Sequence, residues 1–98
     1  MWYIYVISSQ ARRYMYVGLT NNLRERLVTH RNGYNKTTKP YRPFRLIHFE
    51  KFSTRLEARK KEKYLKSGIG KEWIKKNCIN FIEWRNLPAG RQVVDAHV

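Results

Sequence analysis

Two short runs near the N-terminus are rich in aromatic and β-branched residues. They cover Trp2 to Ile7 and Tyr14 to Leu19, and the polar stretch between them predicts a β-hairpin. Because side chains alternate across a strand, one face of this hairpin carries plain hydrocarbon. The opposite face carries phenols and a glycine, among them Tyr5, Tyr16 and Gly18.

The next segment predicts a helix from Asn22 to about Arg31. Asn22 is followed three residues later by Glu25, the pattern of a capping box, and Gly33 stands where a helix would stop. One stripe of this helix mixes apolar and polar residues at i, i+3, i+4 and i+7, namely Leu23, Arg26, Leu27 and His30. A purely structural helix would show only apolar residues on that stripe.

A loop and a third strand are predicted after this helix. The segment Tyr34 to Pro43 is polar and basic with two prolines, which is typical of a loop. Phe44 to Phe52 predicts a strand whose apolar residues fall on both faces, as expected of a strand covered by helices on each side.

Two more helices complete the domain. Thr54 begins a T-x-x-E box that predicts a helix to about Lys66, with Gly68 and Gly70 ending it. Ala58, Glu62 and Leu65 would share one stripe of that helix. Residues 72–77 predict a third helix, and its extension to residue 84 is left open.

These elements predict one α/β (α+β) domain. We expect a small three-stranded, largely antiparallel sheet flanked by helices, in the order β-β-α-β-α-α. The domain would span residues 1–85, and residues 86–98, which have turn residues and little pattern, would form a flexible C-terminal tail.

The net charge of the chain limits the classes of partner that it is expected to bind. Its 21 Lys and Arg against 7 Asp and Glu give a formal net charge of +14, so we expect binding to nucleic acid. No run approaches the ~18 apolar residues of a membrane span, so a membrane is not an expected partner. A set of basic residues with interleaved Tyr34 and Tyr41 predicts contacts to a DNA backbone, the alternative being an ordinary basic loop: Lys36, Lys39, Arg42 and Arg45.

The sequence also bears on the compartment of the protein and on the kinds of metal or phosphate site that it can form. Cys78 is the only cysteine, which fits a reducing compartment, and the N-terminus does not have the order of a secretory signal. We therefore expect a cytoplasmic location. No Cys/His cluster has zinc spacing, and no Gly-rich loop is present to cradle phosphate.

Five elements follow one another along the chain. The first two are the tripeptides Tyr3-Ile4-Tyr5 and Tyr16-Val17-Gly18. The later elements are Thr20-Asn21-Asn22-Leu23, then Arg26-Leu27 with His30, and finally Ala58 with Glu62. In this order and spacing they resemble the motifs of the GIY-YIG endonucleases, whose name comes from the two tripeptides, although Tyr3 replaces the first glycine. The resemblance is greatest to the small stand-alone bacterial members related to the N-terminal nuclease domain of the excision-repair incision subunit. An asparagine usual in the family after the glutamate could be Asn77 or Asn80.

The resemblance implies a metal-dependent DNA endonuclease that leaves 5′-phosphate and 3′-hydroxyl ends. Glu62 would be the sole protein ligand of Mg²⁺ (or Mn²⁺), and Arg26 would stabilise charge on the phosphate. Tyr5 or Tyr16 would be the general base, which requires help from Arg26, the metal or His30, because a free phenol has a pKa of about 10. Gly18 would be structural.

Other interpretations stay open. The tyrosines could be cross-strand packing, Arg26 a solvated charge, and Glu62 an ion-pair partner of Lys66 at i+4. The alternative function is a basic nucleic-acid-binding module with the same fold and little intrinsic cleavage. The expected substrates are branched, single-stranded or damaged DNA, with RNA also possible, and no feature identifies a protein partner.

Overall fold

Three antiparallel strands and three α-helices make up the part of the chain that the computed structural model describes, residues 1–78, 84 and 86–88. In chain order these are β1 (Trp2–Ser9), β2 (Met15–Thr20), α1 (Leu23–Asn32), β3 (Phe44–Phe52), α2 (Arg55–Lys66) and α3 (Gly68–Cys78), with a short 3₁₀ helix at Lys39–Tyr41. The predicted α+β class and element order are confirmed.

The sheet has the strand order β2-β1-β3, and β1 pairs antiparallel with both neighbours. In the hairpin, Tyr5 lies opposite Gly18 and Ile7 lies opposite Tyr16. The two tripeptides noted in the sequence are therefore neighbours on adjacent strands. The alternation of the strands places their phenols on the same face.

The hydrocarbon face of the hairpin forms the core. Ile4 and Val6 from β1 and Met15 and Val17 from β2 are buried against α2 and α3. The helices contribute Ala58, Leu65 and Ile74 to this cluster. The main core thus lies on one side of the sheet, and the phenols are left on the other side.

The expectation that β3 is covered on both faces is wrong. β3 is an edge strand, and its Leu46 and Phe49 are 36% and 48% exposed. A register shift opposite Val6 and Ile7 leaves Ile47 as an extra residue, and Ile47 packs against the core. This bulge, rather than two covering layers, explains why apolar residues of β3 fall on both faces.

The two predicted helix starts are confirmed by their caps. The Asn22 side chain accepts a hydrogen bond from the Glu25 backbone N–H, and Gly33 ends α1 in the left-handed conformation with φ of 79°. Thr54 and Glu57 form a reciprocal capping box at the start of α2. The buried residues of α2 include Glu62, as its stripe predicts.

The boundary between α2 and α3 differs from the prediction. α3 begins at Gly68, not at residue 72, so Gly70 lies inside a helix instead of ending one. A Cβ at Gly70 would overlap backbone atoms of Tyr64 and Leu65, whereas a Cβ at Gly68 would meet nothing within 4 Å. Gly70 therefore permits the close approach of the two helices, a tertiary reason that the local pattern does not contain.

The predicted loop after α1 is folded against the domain. Thr38 is fully buried, and Tyr41 stacks on Tyr14 with ring centroids 3.8 Å apart. The expectation that Tyr41 belongs to an exposed basic surface is therefore wrong, while Tyr34 is exposed as expected. Stacking on an aromatic partner buries a ring that its polar neighbours in sequence do not predict.

Part of the predicted C-terminal tail is described. Residues 86–88 of the tail are described, and the Arg13 backbone N–H donates to the Pro88 carbonyl at 2.8 Å. Trp84, which precedes the tail, is largely buried. Residues 89–98, which make up most of the predicted tail, lie outside the described residues. Asn80, one of the two asparagines considered for the site, lies outside them as well. Within the described part, no helix has the length and apolar character needed to cross a membrane.

Candidate active site

The phenol face of the hairpin is centred on Tyr5, which is only 1% exposed. Its ring lies over Gly18 on the paired strand, where a Cβ would overlap the ring and its hydroxyl. Glycine at position 18 therefore makes room for the phenol. The ring of Tyr16 lies on the same face, with its centroid 6.3 Å from that of Tyr5.

A buried hydrogen-bond chain joins β1, α1 and the following segment. The Tyr5 hydroxyl is 2.8 Å from His30 Nε2, and His30 Nδ1 is 2.9 Å from Thr38 Oγ1. All three side chains are fully buried or nearly so. Both ring nitrogens of His30 therefore have partners, which fixes the orientation of the imidazole.

His30 is neutral at neutral pH. Burial, together with the nearby positive charge of Arg26, lowers the pKa of His30 from 6.5 to about 4. The family resemblance predicted His30 as one of the groups that could help a phenol to ionise. Since the ring is uncharged, that help can come only through its hydrogen bond and not through a positive charge.

Tyr16 is the more accessible of the two phenols. It is half-buried, and its ring centroid lies 5.1 Å from that of His30. Burial raises the pKa of Tyr16, and Glu62 raises it further, while Arg26 and a hydrogen bond from the Asn35 side chain lower it. Tyr16 thus faces a guanidinium, a carboxylate and an amide.

Arg26 and Glu62 complete the cluster. Burial raises the pKa of Tyr5, as do the negative charges of Tyr16 and Glu62, whereas Arg26 lowers it. Electrostatic interactions weaken with distance, so charges that shift the pKa of both phenols lie near them. Side chains from β1, β2, α1 and α2 therefore converge, although Arg26 itself is exposed to solvent.

The carboxylate of Glu62 is held by two cations of its own helix. Arg59 Nη1 lies 2.6 Å from Oε1, and Lys66 Nζ lies 3.3 Å from Oε2. The i+4 ion pair with Lys66, considered as an alternative role for Glu62, therefore exists. It does not account for the position of Glu62, whose side chain is 8% exposed while those of its partners are 47% and 30% exposed.

The donor set fits a single hard divalent cation. No cluster of three or more carboxylate, histidine or cysteine side chains forms a metal cage in the described part of the chain. Mg²⁺ needs no such cage, because it keeps several waters and binds through one or two carboxylates and substrate phosphates. Glu62 offers such a carboxylate near the phenols.

The predicted backbone-contact residues divide into two groups. Lys39 and Arg42 line a cleft of about 970 Å³ between α1 and β3, whereas Lys36 and Arg45 are exposed elsewhere. Arg24 and Arg31 from α1 also line this cleft, and its apolar part includes Leu23, Leu27 and Leu46. His30 belongs to its wall as well, so the cleft adjoins the phenols.

Asn35 and Thr38 were not expected at the site. Their segment was predicted only as a basic loop, yet Thr38 Oγ1 contacts His30 and the Asn35 side chain lowers the pKa of Tyr16. An Asn followed by polar residues is typical of an Asx turn, which could have indicated that the segment is ordered. Its contacts with distant residues have no local signal. Asn77, considered for the site, is exposed and donates to the Trp73 carbonyl of its own helix at 2.9 Å.

The fold is that of a small α+β domain, with one face of its antiparallel sheet carrying the phenol cluster. Residues 1–77 match the GIY-YIG catalytic domain, which is most of the chain. The protein belongs to the GIY-YIG family, as the two tripeptides and the residues after them predict. Membership in this family implies a nucleic-acid substrate.

Relatives of similar size occur in several bacteria. A UPF0213 protein of Clostridium perfringens is 37% identical over 67 residues, covering 67% of this chain and 71% of the relative. A UPF0213 protein of Bacillus licheniformis is 42% identical over 82 residues, covering 83% and 78%. The UPF0213 protein YazA of Bacillus subtilis is 42% identical over 65 residues, covering 65% of each. These names state no activity, and no solved structure matches the chain.

Proposed function

We propose that this protein is a metal-dependent DNA endonuclease that hydrolyses phosphodiester bonds, acting as a structure- or repair-related nicking enzyme. One observation carries the proposal: two phenols, a guanidinium, a neutral imidazole and a carboxylate come from four separate elements to one place. Packing alone does not explain why a carboxylate is buried near two phenols, whose pKa it raises.

The phenols have different roles in this proposal. Tyr5 is buried and hydrogen-bonded to His30, so it is suited to holding the site together. Tyr16 is more exposed and lies nearer to solvent, so it takes the proton from the attacking water. Arg26 is permanently cationic, and its guanidinium stabilises the negative charge that builds on the phosphate oxygens.

Glu62 would hold the divalent cation, Mg²⁺ or Mn²⁺. When bound, that cation supplies positive charge for the phosphate oxygens and for the leaving oxygen. Glu62 itself raises the pKa of both phenols. A cation bound to the Glu62 carboxylate would offset this increase in the phenolic pKa, which makes loss of the phenolic proton easier.

The basic residues around the cleft would hold the nucleic acid. Arg24, Arg31, Lys39 and Arg42 present positive charge on two sides of a groove that adjoins the cluster. Contacts of this kind position a phosphate backbone without reading its sequence. We therefore expect substrates to be selected by structure, such as branched, single-stranded or damaged DNA.

Cleavage assays test the proposal. Supercoiled plasmid and branched or single-stranded oligonucleotides are incubated with Mg²⁺, with Mn²⁺ or with a chelator. We expect nicking that the chelator abolishes, and a loss of about 10²-fold or more in both Glu62→Gln and Arg26→Ala. Glu72→Gln removes a carboxylate that is 78% exposed on α3 and serves as the matched control.

Binding measured in parallel separates the two candidate functions. Fluorescence anisotropy with labelled DNA should show that Glu62→Gln still binds. Equal trace cutting by the wild type and both site variants, with binding intact, would refute the enzyme and leave a basic nucleic-acid-binding module.

A further inference from the structure

The bulge in β3 brings two apolar side chains onto the phenol face of the sheet. Leu46 and Phe49 are three residues apart in sequence, and such residues point to opposite faces of a regular strand. The extra residue of the bulge changes this, so that Leu46 pairs with Ile7. Phe49 pairs with Tyr5, two residues away on β1. Because paired residues of antiparallel strands point to the same face, Leu46 and Phe49 both lie beside the candidate site.

The two side chains form an apolar shelf, Leu46 and Phe49, that is open to solvent. Leu46 is 36% exposed and Phe49 is 48% exposed. Neither belongs to the hydrophobic core, which lies on the other side of the sheet. Leu46 also lines the cleft between α1 and β3, whose apolar part includes Leu23 and Leu27. The apolar shelf therefore leads from the position of Tyr5 into the cleft.

Positive charge flanks the apolar shelf at both ends. Lys51 is exposed and pairs with Tyr3, so it lies on the phenol face one step beyond Phe49. At the other end, the described residues that line the cleft include four Arg or Lys and no Asp or Glu. Glu50 of the same strand lies on the core face, where its carboxylate is 3.5 Å from Lys61 Nζ. The shelf is thus an apolar surface between cations.

An unpaired nucleobase on its phosphate backbone matches this surface in both respects. Bases stack on aromatic side chains whatever the sequence, because every base has a π-face. In a duplex the faces of the bases are covered by their neighbours, so only an unpaired base can lie on an exposed ring. The flanking cations then hold phosphates on either side. An apolar peptide would match the shelf but would gain nothing from the cations around it.

We propose that Phe49 and Leu46 form a binding subsite for an unpaired base of the substrate strand, next to the position of cleavage. The inference rests on the proposed function in placing the scissile phosphate at the phenols. Since Phe49 pairs directly with Tyr5, a base stacked on its ring belongs to a nucleotide close to that phosphate. The subsite selects unpaired over paired strands, which contacts to the phosphate backbone alone do not do.

Anisotropy with labelled oligonucleotides tests the subsite on the full-length protein, with a chelator present so that no cleavage occurs. The ligands are a single strand, the same strand with stable abasic residues in place of its bases, and a blunt duplex. For Phe49→Ala we expect Kd for the single strand to rise about tenfold, with little change for the other two ligands. The salt dependence of log Kd should stay the same, because no cation is removed.

Three further variants and one further ligand complete the test. Phe49→Tyr keeps a ring and should restore the wild-type Kd. Phe49→Leu keeps the apolar bulk on the strand without a ring and should not, and it replaces Phe49→Ala if that variant does not fold. Ile69→Ala, which truncates a side chain 74% exposed on α3, should change no Kd. A duplex with one bulged base distinguishes a base looped out of a duplex from one in a single strand.

Equal Kd values of the wild type and Phe49→Leu for the single strand would overturn the inference, as would an equal loss with the abasic strand. A dimer in analytical ultracentrifugation that Phe49→Leu dissociates would also overturn it, since the shelf would then be an interface between two copies. Because the binding measurements need neither metal nor turnover, an inactive wild type would refute the proposed nuclease and still leave the base subsite tested. With an active wild type, Phe49→Ala should raise KM for single-stranded substrate about tenfold with little change in kcat.

Discussion

Acid should destabilise this protein through His30. The pKa of His30 is about 4 in the folded chain because of burial and the nearby Arg26, compared with 6.5 as the ordinary value. Between these two values the unfolded state binds a proton that the folded state does not. The free energy of unfolding therefore falls as pH decreases through this window, and the stabilisation is fully present above it.

The size of this acid destabilisation follows from the shift in the pKa of His30. Each pKa unit corresponds to about 1.4 kcal/mol, so the displacement of His30 amounts to about 3 kcal/mol between neutral pH and pH 4. This is a large share of the free energy of unfolding of a typical domain, which is roughly 5–15 kcal/mol. His30 is 1% exposed, so solvent screening does little to reduce it.

Urea unfolding at a series of pH values measures how the free energy of unfolding changes with pH. His30→Gln keeps a polar side chain in the same place but cannot titrate, so its unfolding free energy should depend less on pH between 4 and 6.5. The difference between the two slopes isolates the contribution of His30 from that of the carboxylates. Equal slopes for the two proteins, or a His30 ring that titrates near 6.5 by NMR, would refute the reasoning.

Three further outcomes are expected. Gly18→Ala should lower the free energy of unfolding by about 1–3 kcal/mol and impair cleavage, because the new Cβ displaces the Tyr5 ring; urea unfolding and the nicking assay measure both. Gly70→Ala should lower thermal stability by overlapping the backbone at the end of α2, whereas Gly68→Ala faces open space and should not; equal melting temperatures would contradict this. Arg42→Ala should weaken DNA binding uniformly across sequences and reduce the salt dependence of log Kd by about one unit, as measured by anisotropy at several salt concentrations.

The local pattern was enough to predict the element order and most of the helix ends. Strand alternation separated the hydrocarbon face from the phenol face, and the caps at Asn22 and Thr54 placed the starts of α1 and α2. These features depend on residues close together in the chain. A hydrogen bond from a cap or the period of a strand is the same wherever the rest of the protein lies.

The family motifs also indicated the five residues of the cluster before any coordinates. They could not indicate whether each of those residues is charged or neutral in the folded protein. The neutral form of His30 depends on burial by distant segments, and the raised pKa of Tyr16 depends on burial and on the charges of residues from α1 and α2. Desolvation and electrostatic interactions act through space and not along the chain.

The sequence by itself therefore determined the class of fold, the family and the chemical types available at the site. Only the tertiary structure decided that Tyr5 lies over Gly18, that Gly70 brings two helices together, and that Thr38 contacts the cluster. Each of these is a close contact between residues far apart in the chain or on different elements. Side-chain periodicity specifies a face, but only packing specifies which atom lies against which.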